Sequence, residues 1–240
     1  VINACAKGDQ WLPPRGPPVA MRSLGLVPGV ITYSSVIHAC AKGSELQRAL
    51  NLLEEMRSRG LVPDEITYSS VINACAKGGL SQRAHNLLDE MRSHGLVPNE
   101  ITYNSVINAC AMGGESQRAL NLLVEMRSRG MAPDEITYNS VINACAKGDQ
   151  WQRAHNLLDE MRSRGLVPDA ITYNSVIDAC AKGNEWQRAL DLFDKMRNFN
   201  LTPDLVTYDA ALNACAIGRQ PERALSLFES LQQEGLTAEL

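Results

Sequence analysis

The sequence predicts an all-α protein, an α-solenoid of stacked helix–turn–helix repeats, and three observations carry that prediction. A phrase of the type ITYNSVINACAKG returns six times at a spacing of 35 residues, without one insertion. Each period holds two stretches with apolar residues at helical spacing. Glycine and proline recur at fixed points between these stretches, where helices stop. One hairpin of this size cannot bury both of its faces, but stacked neighbours can, so the repeat is the unit of the fold.

Counted from the residue before I-T-Y, the whole repeats are 30–64, 65–99, 100–134, 135–169, 170–204 and 205–239. Residues 1–29 are the tail of an earlier repeat in the same register. Repeat 135–169 shows the pattern. Ile136, Val141, Ile142 and Cys145 recur at helical spacing, and Gly148 is expected to end the first helix as a left-handed cap. Asp149 is expected to cap the second helix, whose Ala154, Leu157, Leu158 and Met161 form an apolar stripe. Arg153, Asp159, Glu160 and Arg162 occupy its other side, Gly165 ends it, and Pro168–Asp169 breaks the chain before the next repeat. The first helices are expected to line the concave side of the stack.

Two regions depart from the pattern. WLPPRGPPVA at Trp11–Ala20 stands where residues 151–160 read WQRAHNLLDE, and its prolines exclude a helix. The register resumes at Met21 with MRSLGLVP, so the stretch reads as paired frameshifts, as a sequence error or as a degenerate end. At the other end Ile217 replaces a lysine and Ala238 replaces the closing proline, so the last repeat is divergent or a cap.

Composition bounds the function. Hydrophobic residues make up 45% and charged residues 21%, ordinary values for a globular protein. No run of eighteen apolar residues occurs, and no membrane contact is expected. A net charge of −4 weighs against a strong non-specific nucleic-acid binder. The seven cysteines, Cys5, Cys40, Cys75, Cys110, Cys145, Cys180 and Cys215, fall one per repeat. Equivalent atoms of stacked helices lie roughly 10 Å apart, beyond the ~7 Å at which two Cα atoms can be bridged. They are therefore expected to be buried, reduced thiols. No C-x-x-C pair, Cys–His cluster or H-E-x-x-H motif occurs, so neither a metal nor a cofactor is expected. His85 and His155 stand where other repeats carry Leu and are expected to be partly buried. The chain opens on Val1 inside the repeated phrase and is expected to be a piece of a longer protein.

T-Y-N near the start, G near the middle, A-L-x-L-x-x-x-M in the second helix and G-L-x-P-D at the end together resemble the pentatricopeptide repeat. The resemblance covers residues 30–239 and part of 1–29. The tetratricopeptide repeat runs at 34 residues and carries W-x-x-L-G-x-x-Y, which is absent here. The resemblance implies a right-handed superhelix that holds single-stranded RNA in its groove, one nucleotide per repeat, in a mitochondrion or chloroplast.

The residues suit that use. In repeat 135–169, Asn139, Asn143 and Lys147 lie four apart along one flank of the first helix. Asn can match the Watson–Crick edge of an unstacked base, Lys a phosphate, and a branched side chain the face of a base. By the resemblance, the base is chosen by the residue after the tyrosine and the last residue of the repeat. Ser34 with Asp64 resembles a guanine-preferring pair and Ser69 with Asn99 an adenine-preferring one. Asn104 with Asp134, Asn139 with Asp169 and Asn174 with Asp204 resemble uracil-preferring pairs, which gives a core 5′-GAUUU-3′. Asp209 with Glu239 matches no common pair. Ile31, Ile66, Ile101, Ile136, Ile171 and Val206 are expected beside the bases, and Lys42, Lys77, Lys147 and Lys182 at phosphates.

The expected function is sequence-selective RNA binding in organellar processing, stabilisation, splicing or translation, without catalysis. One alternative is a protein-interaction scaffold of tetratricopeptide-like type, with protein partners in the same groove. Another is the RNA-recognition region of a larger enzyme such as protein-only ribonuclease P.

Overall fold

The computed structural model describes Met21 and residues 25–235. The expectations for Trp11–Ala20, Cys5, Ala238 and Glu239 lie outside these residues. Twelve α-helices and no strand occur among the described residues. They are α1 (Val30–Lys42), α2 (Leu46–Ser58), α3 (Glu65–Lys77), α4 (Ser81–Ser93), α5 (Glu100–Met112), α6 (Ser116–Ser128), α7 (Glu135–Lys147), α8 (Trp151–Ser163), α9 (Ala170–Lys182), α10 (Trp186–Asn198), α11 (Leu205–Ile217) and α12 (Pro221–Gln233). The chain divides into two compact units, one ending at Gly113 and the other beginning at Gly114.

Both units are α-solenoids built the same way. In the first, α1 packs on α3 and α3 on α5; in the second, α7 packs on α9 and α9 on α11. Each of α2, α4, α8 and α10 packs on its own first helix and on the first helix of the next repeat. First helices inside the stack are therefore covered on several sides, and their composition follows. In α7, Tyr138, Val141, Ile142, Ala144, Cys145 and Ala146 are all buried, whereas α8 buries only Ala154, Leu157, Leu158 and Met161. Burying each large aliphatic side chain stabilises the stack by about 1.5–3 kcal/mol. Tyr138 also ties repeats together: its hydroxyl donates to Glu160 of α8 at 3.1 Å and accepts from Arg127 of α6 at 2.6 Å.

Ile136 shares the helical spacing of Val141 and Cys145 but stays outside the core. Ile136 is 65% exposed. Helical spacing of three, four and seven residues puts it on one side with Asn139, Ser140 and Asn143, away from the side that Val141 and Cys145 bury.

The helix ends are defined by hydrogen bonds. Asp64, Asn99, Asp134, Asp169 and Asp204 are the N-caps of α3, α5, α7, α9 and α11, and each side chain accepts from the backbone N–H of the Thr three residues on. At the end of α8, the Gly165 N–H donates to Arg162 and the Leu166 N–H to Met161, with Gly165 at φ +76°. That is a Schellman motif, and it needs the left-handed residue Gly165 supplies.

The first helices end one residue later than expected. Gly148 has φ −91°, and the left-handed residue is Asp149 at φ +55°. Gln150, not Asp149, is the N-cap of α8, and it makes no side-chain capping bond. Gly148 is required for a different reason. A Cβ there would lie 2.8 Å from the Gly114 carbonyl oxygen and 3.0 Å from the Ser116 hydroxyl. The same close approach recurs at Gly183, where a Cβ would lie 2.2 Å from the Trp151 ring.

Candidate functional site

The residue after the tyrosine and the last residue of the repeat are 30 apart in sequence, and stacking brings them together. Asn139 on α7 donates from Nδ2 to both carboxylate oxygens of Asp169 at 3.3 Å. Asn174 on α9 donates to Asp204 at 3.1 Å, and Ser34 on α1 lies 3.2 Å from Asp64. A third side chain, absent from the expected site, joins Asn139, Asn174, Ser34 and Ser69. The Thr172 hydroxyl lies 2.5 Å from Asn139 Oδ1 and 2.8 Å from Asp169 Oδ1. Thr207 sits the same way, 2.6 Å from Asn174 and 2.8 Å from Asp204. Thr67 lies 2.7 Å from Ser34 and Thr102 lies 2.9 Å from Ser69. These threonines are fully buried. Their signal in the sequence is the Thr before every Tyr of the six copies.

The two ends of the terminal side chain therefore differ. One side-chain oxygen caps the next helix, which leaves the other terminal atom of the group on the far side. In Asp64 that atom is Oδ2, an acceptor; in Asn99, whose Oδ1 accepts from the Thr102 amide at 3.0 Å, it is Nδ2, a donor. At Asp204, burial alone would push the carboxyl up. Bonds from the Thr207 amide and hydroxyl, from Asn174 and from its own amide outweigh burial and hold it below the usual range. It is ionised at neutral pH.

In the first unit a cleft of about 270 Å³ brings several expected site residues together: Lys42, Ile66, Ser69, Asn99 and Ile101, with His38, Glu65 and Asn73 also lining it. Ile66 and Ile101 stand 62% and 68% exposed on α3 and α5. His38 was missed by sequence reasoning; its Nδ1 lies 2.9 Å from the Ser70 hydroxyl. Burial first, then the Lys42 ammonium, lowers its pKa, so the ring is neutral at pH 7. Ile31, Ile136, Ile171 and Val206 are exposed at the matching positions of α1, α7, α9 and α11. Asn104 is half-buried on α5, and Asp134 caps α7.

Lys42, Lys77, Lys147 and Lys182 close their helices and are exposed. Lys182 differs from the expectation of a ready phosphate ligand: its ammonium already pairs with Asp178 at 2.6 Å, because this repeat carries Asp where others carry Asn or His. Many acidic side chains lie instead on the second helices, held by arginines, as in Arg57–Glu90 and Arg127–Glu160 at 2.6 Å. Cys40, Cys75, Cys110, Cys145, Cys180 and Cys215 are free and buried, and burial pushes the Cys75, Cys145 and Cys180 thiols up to about 11. His85 and His155 are partly buried, as expected. Among the described residues no His/Cys/Asp/Glu group could hold a metal ion, and no helix is long and apolar enough to cross a membrane.

Comparison with known proteins matches this architecture. The PPR repeat family matches residues 28–77, 72–112, 98–147, 135–182 and 168–217, and the PPR repeat matches residues 206–236. The crystal structure of the pentatricopeptide repeat protein PPR10 from maize is 30% identical, with a TM-score of 0.69 over 99% of this chain and 33% of that one. The structure of PPR10 with an 18-nt psaJ RNA element is also 30% identical, with a TM-score of 0.57 over 92% of this chain and 31% of that one. The PPR domain of Arabidopsis thaliana protein-only RNase P 1 in complex with tRNA shares the fold at 16% identity, with a TM-score of 0.65 over 75% of this chain and 95% of that one. No curated protein matches the chain. The chain thus spans about a third of the PPR10 chain it matches. With the family pattern running from residue 28 to residue 236, the chain belongs to the pentatricopeptide repeat family.

Proposed function

We propose that this protein binds single-stranded RNA, one nucleotide per repeat, and selects bases through the paired side chains of consecutive repeats. The observation that carries the proposal is the cleft in the first unit. Its walls present two exposed branched side chains, Ile66 and Ile101, and its lining holds the Ser69–Asn99 pair and the Lys42 ammonium. An unstacked base needs an apolar surface for its face, polar groups at its edge and a cation near its phosphate. Maize PPR10 has been solved with an RNA element, which supports the same ligand class here.

The cap geometry gives base choice a physical basis. An outward carboxylate oxygen, as in Asp64 or Asp169, accepts from the ring N–H of guanine or uracil. An outward amide, as in Asn99, donates to the ring nitrogen of adenine. Ser in the partner position leaves room for a purine, and the longer Asn suits a pyrimidine. Residues 30–204 then favour 5′-GAUUU-3′. The reading includes an organellar setting, which the family resemblance supports, and an action by binding without catalysis, in processing, stabilisation, splicing or translation.

The test is competition among RNAs that differ only at the fourth base of that core, which faces repeat 135–169. Asn139→Ser should move the preference there from uracil toward guanine, by about 1–3 kcal/mol of discrimination, and leave neighbouring positions alone. If both proteins rank the four bases identically, this position does not read sequence.

A further inference from the structure

We infer that the buried threonine opening each following repeat is a positioning residue for base choice, so that three side chains rather than two set each preference. The inference rests on the RNA-reading proposal and deepens it. In repeat 135–169 the third member is Thr172, which belongs to the next repeat.

Thr172 receives a hydrogen bond from the Asp169 backbone N–H at 3.1 Å. It carries one proton, and two acceptors lie within reach: Asn139 Oδ1 at 2.5 Å and Asp169 Oδ1 at 2.8 Å. Asp169 Oδ1 already accepts from the Thr172 amide at 2.9 Å, so the shorter contact directs the hydroxyl proton to Asn139. Asn139 is then held at both ends. Its oxygen faces Thr172 and its Nδ2 faces Asp169. The two equal contacts to Asp169 fit a single N–H shared between its oxygens, which leaves the other N–H of the amide for the ligand, with a fixed sense. Without the hydroxyl the amide oxygen loses its anchor, and only two long bonds at 3.3 Å orient the group.

The same arrangement holds Asn174 through Thr207, where the two hydroxyl contacts are 2.6 and 2.8 Å. The equivalent threonines also touch the serines, Thr67 at 2.7 Å from Ser34 and Thr102 at 2.9 Å from Ser69, where either hydroxyl can donate. A threonine needed only to cap its own helix would use the Asp or Asn side chain alone. Here it also reaches back 33 residues to the reading side chain of the previous repeat. Being fully buried, it cannot touch RNA itself and acts through Asn139 and Asp169.

The experiment uses the full chain and four single-stranded RNAs containing 5′-GAUNU-3′, where N is each base in turn. Thr172→Val keeps the shape and removes the hydroxyl; Thr172→Ser keeps the hydroxyl. Thr172→Val should narrow the preference for uracil at N about fivefold or more, a good part of what one base contact supplies, while Thr172→Ser retains it. Discrimination at the adjacent bases should not change. Equal weakening for all four RNAs, or an unchanged ranking and spread, overturns the inference and leaves Thr172 a packing residue. Should Thr172→Val unfold, Thr207→Val is read at the fifth base with the same two outcomes. Asn139→Ser run alongside separates the layers. If it shifts the base and the threonine variants do not, this inference alone fails; if it does not shift the base, the reading mechanism fails.

Discussion

In the proposed mechanism Asp169 joins stability to readout, and two substitutions separate them. Its Oδ1 accepts the Thr172 amide at 2.9 Å as the N-cap of α9, and its two oxygens accept Asn139 Nδ2 at 3.3 Å. Asp169→Ala removes both. Loss of an N-cap costs about 1 kcal/mol, and the long, exposed bond to Asn139 adds roughly 0.5 kcal/mol. Asp169→Asn keeps a cap oxygen and should cost only a few tenths of a kcal/mol. With a urea slope of about 3 kcal/mol/M, Asp169→Ala moves the midpoint down by roughly 0.5 M, and Asp169→Asn hardly moves it. In RNA competition the two diverge again. Asp169→Asn turns an outward acceptor into a donor and should move the fourth base from uracil to cytosine, whose ring nitrogen accepts. Asp169→Ala should lose the preference without gaining a new one. Equal destabilisation by both variants would refute the capping role. A uracil preference that survives in Asp169→Asn would refute the readout derived from the cap.

Two further predictions follow from the geometry. Gly148→Ala should destabilise by about 1–3 kcal/mol through overpacking against the Gly114 carbonyl, whereas Asp149→Gly should stabilise by up to about 1 kcal/mol because φ there is +55°. Urea midpoints for the two variants decide it, and the opposite pair of signs would return the left-handed cap to Gly148. Lys147→Ala should lessen the log affinity–log salt slope by about 0.7, while Lys182→Ala should lessen it less, since that ammonium must first leave Asp178. Equal slopes for wild type and Lys147→Ala would remove the lysine row from the phosphate contacts.

The repeat register, both helices of each repeat, the stopping glycines and prolines and the family were legible in the sequence. All of these rest on spacings within a few residues, which helical geometry converts directly into faces and ends. The proposed reading pairs were legible only through the family pattern. Nothing local in the residues says that Asn139 meets Asp169, 30 positions away. Stacking alone decided that contact, and with it the place of Asp169 as helix cap and as partner of Asn139, and the contact of Thr172 with both. Gly148 shows the same division. The sequence marked a glycine at a helix end and made a left-handed cap the natural reading, but its need for no side chain comes from the Gly114 carbonyl of the preceding repeat. The uncovered place of Ile136 was expected only through the family pattern, and it is the packing of Tyr138 and Val141 on the covered side that leaves it exposed. The sequence determined which residues share a face, because that follows from 3.6 residues per turn. Which face another repeat covers, and which it leaves to a ligand, depends on how neighbouring helices pack, and only the tertiary structure decided that.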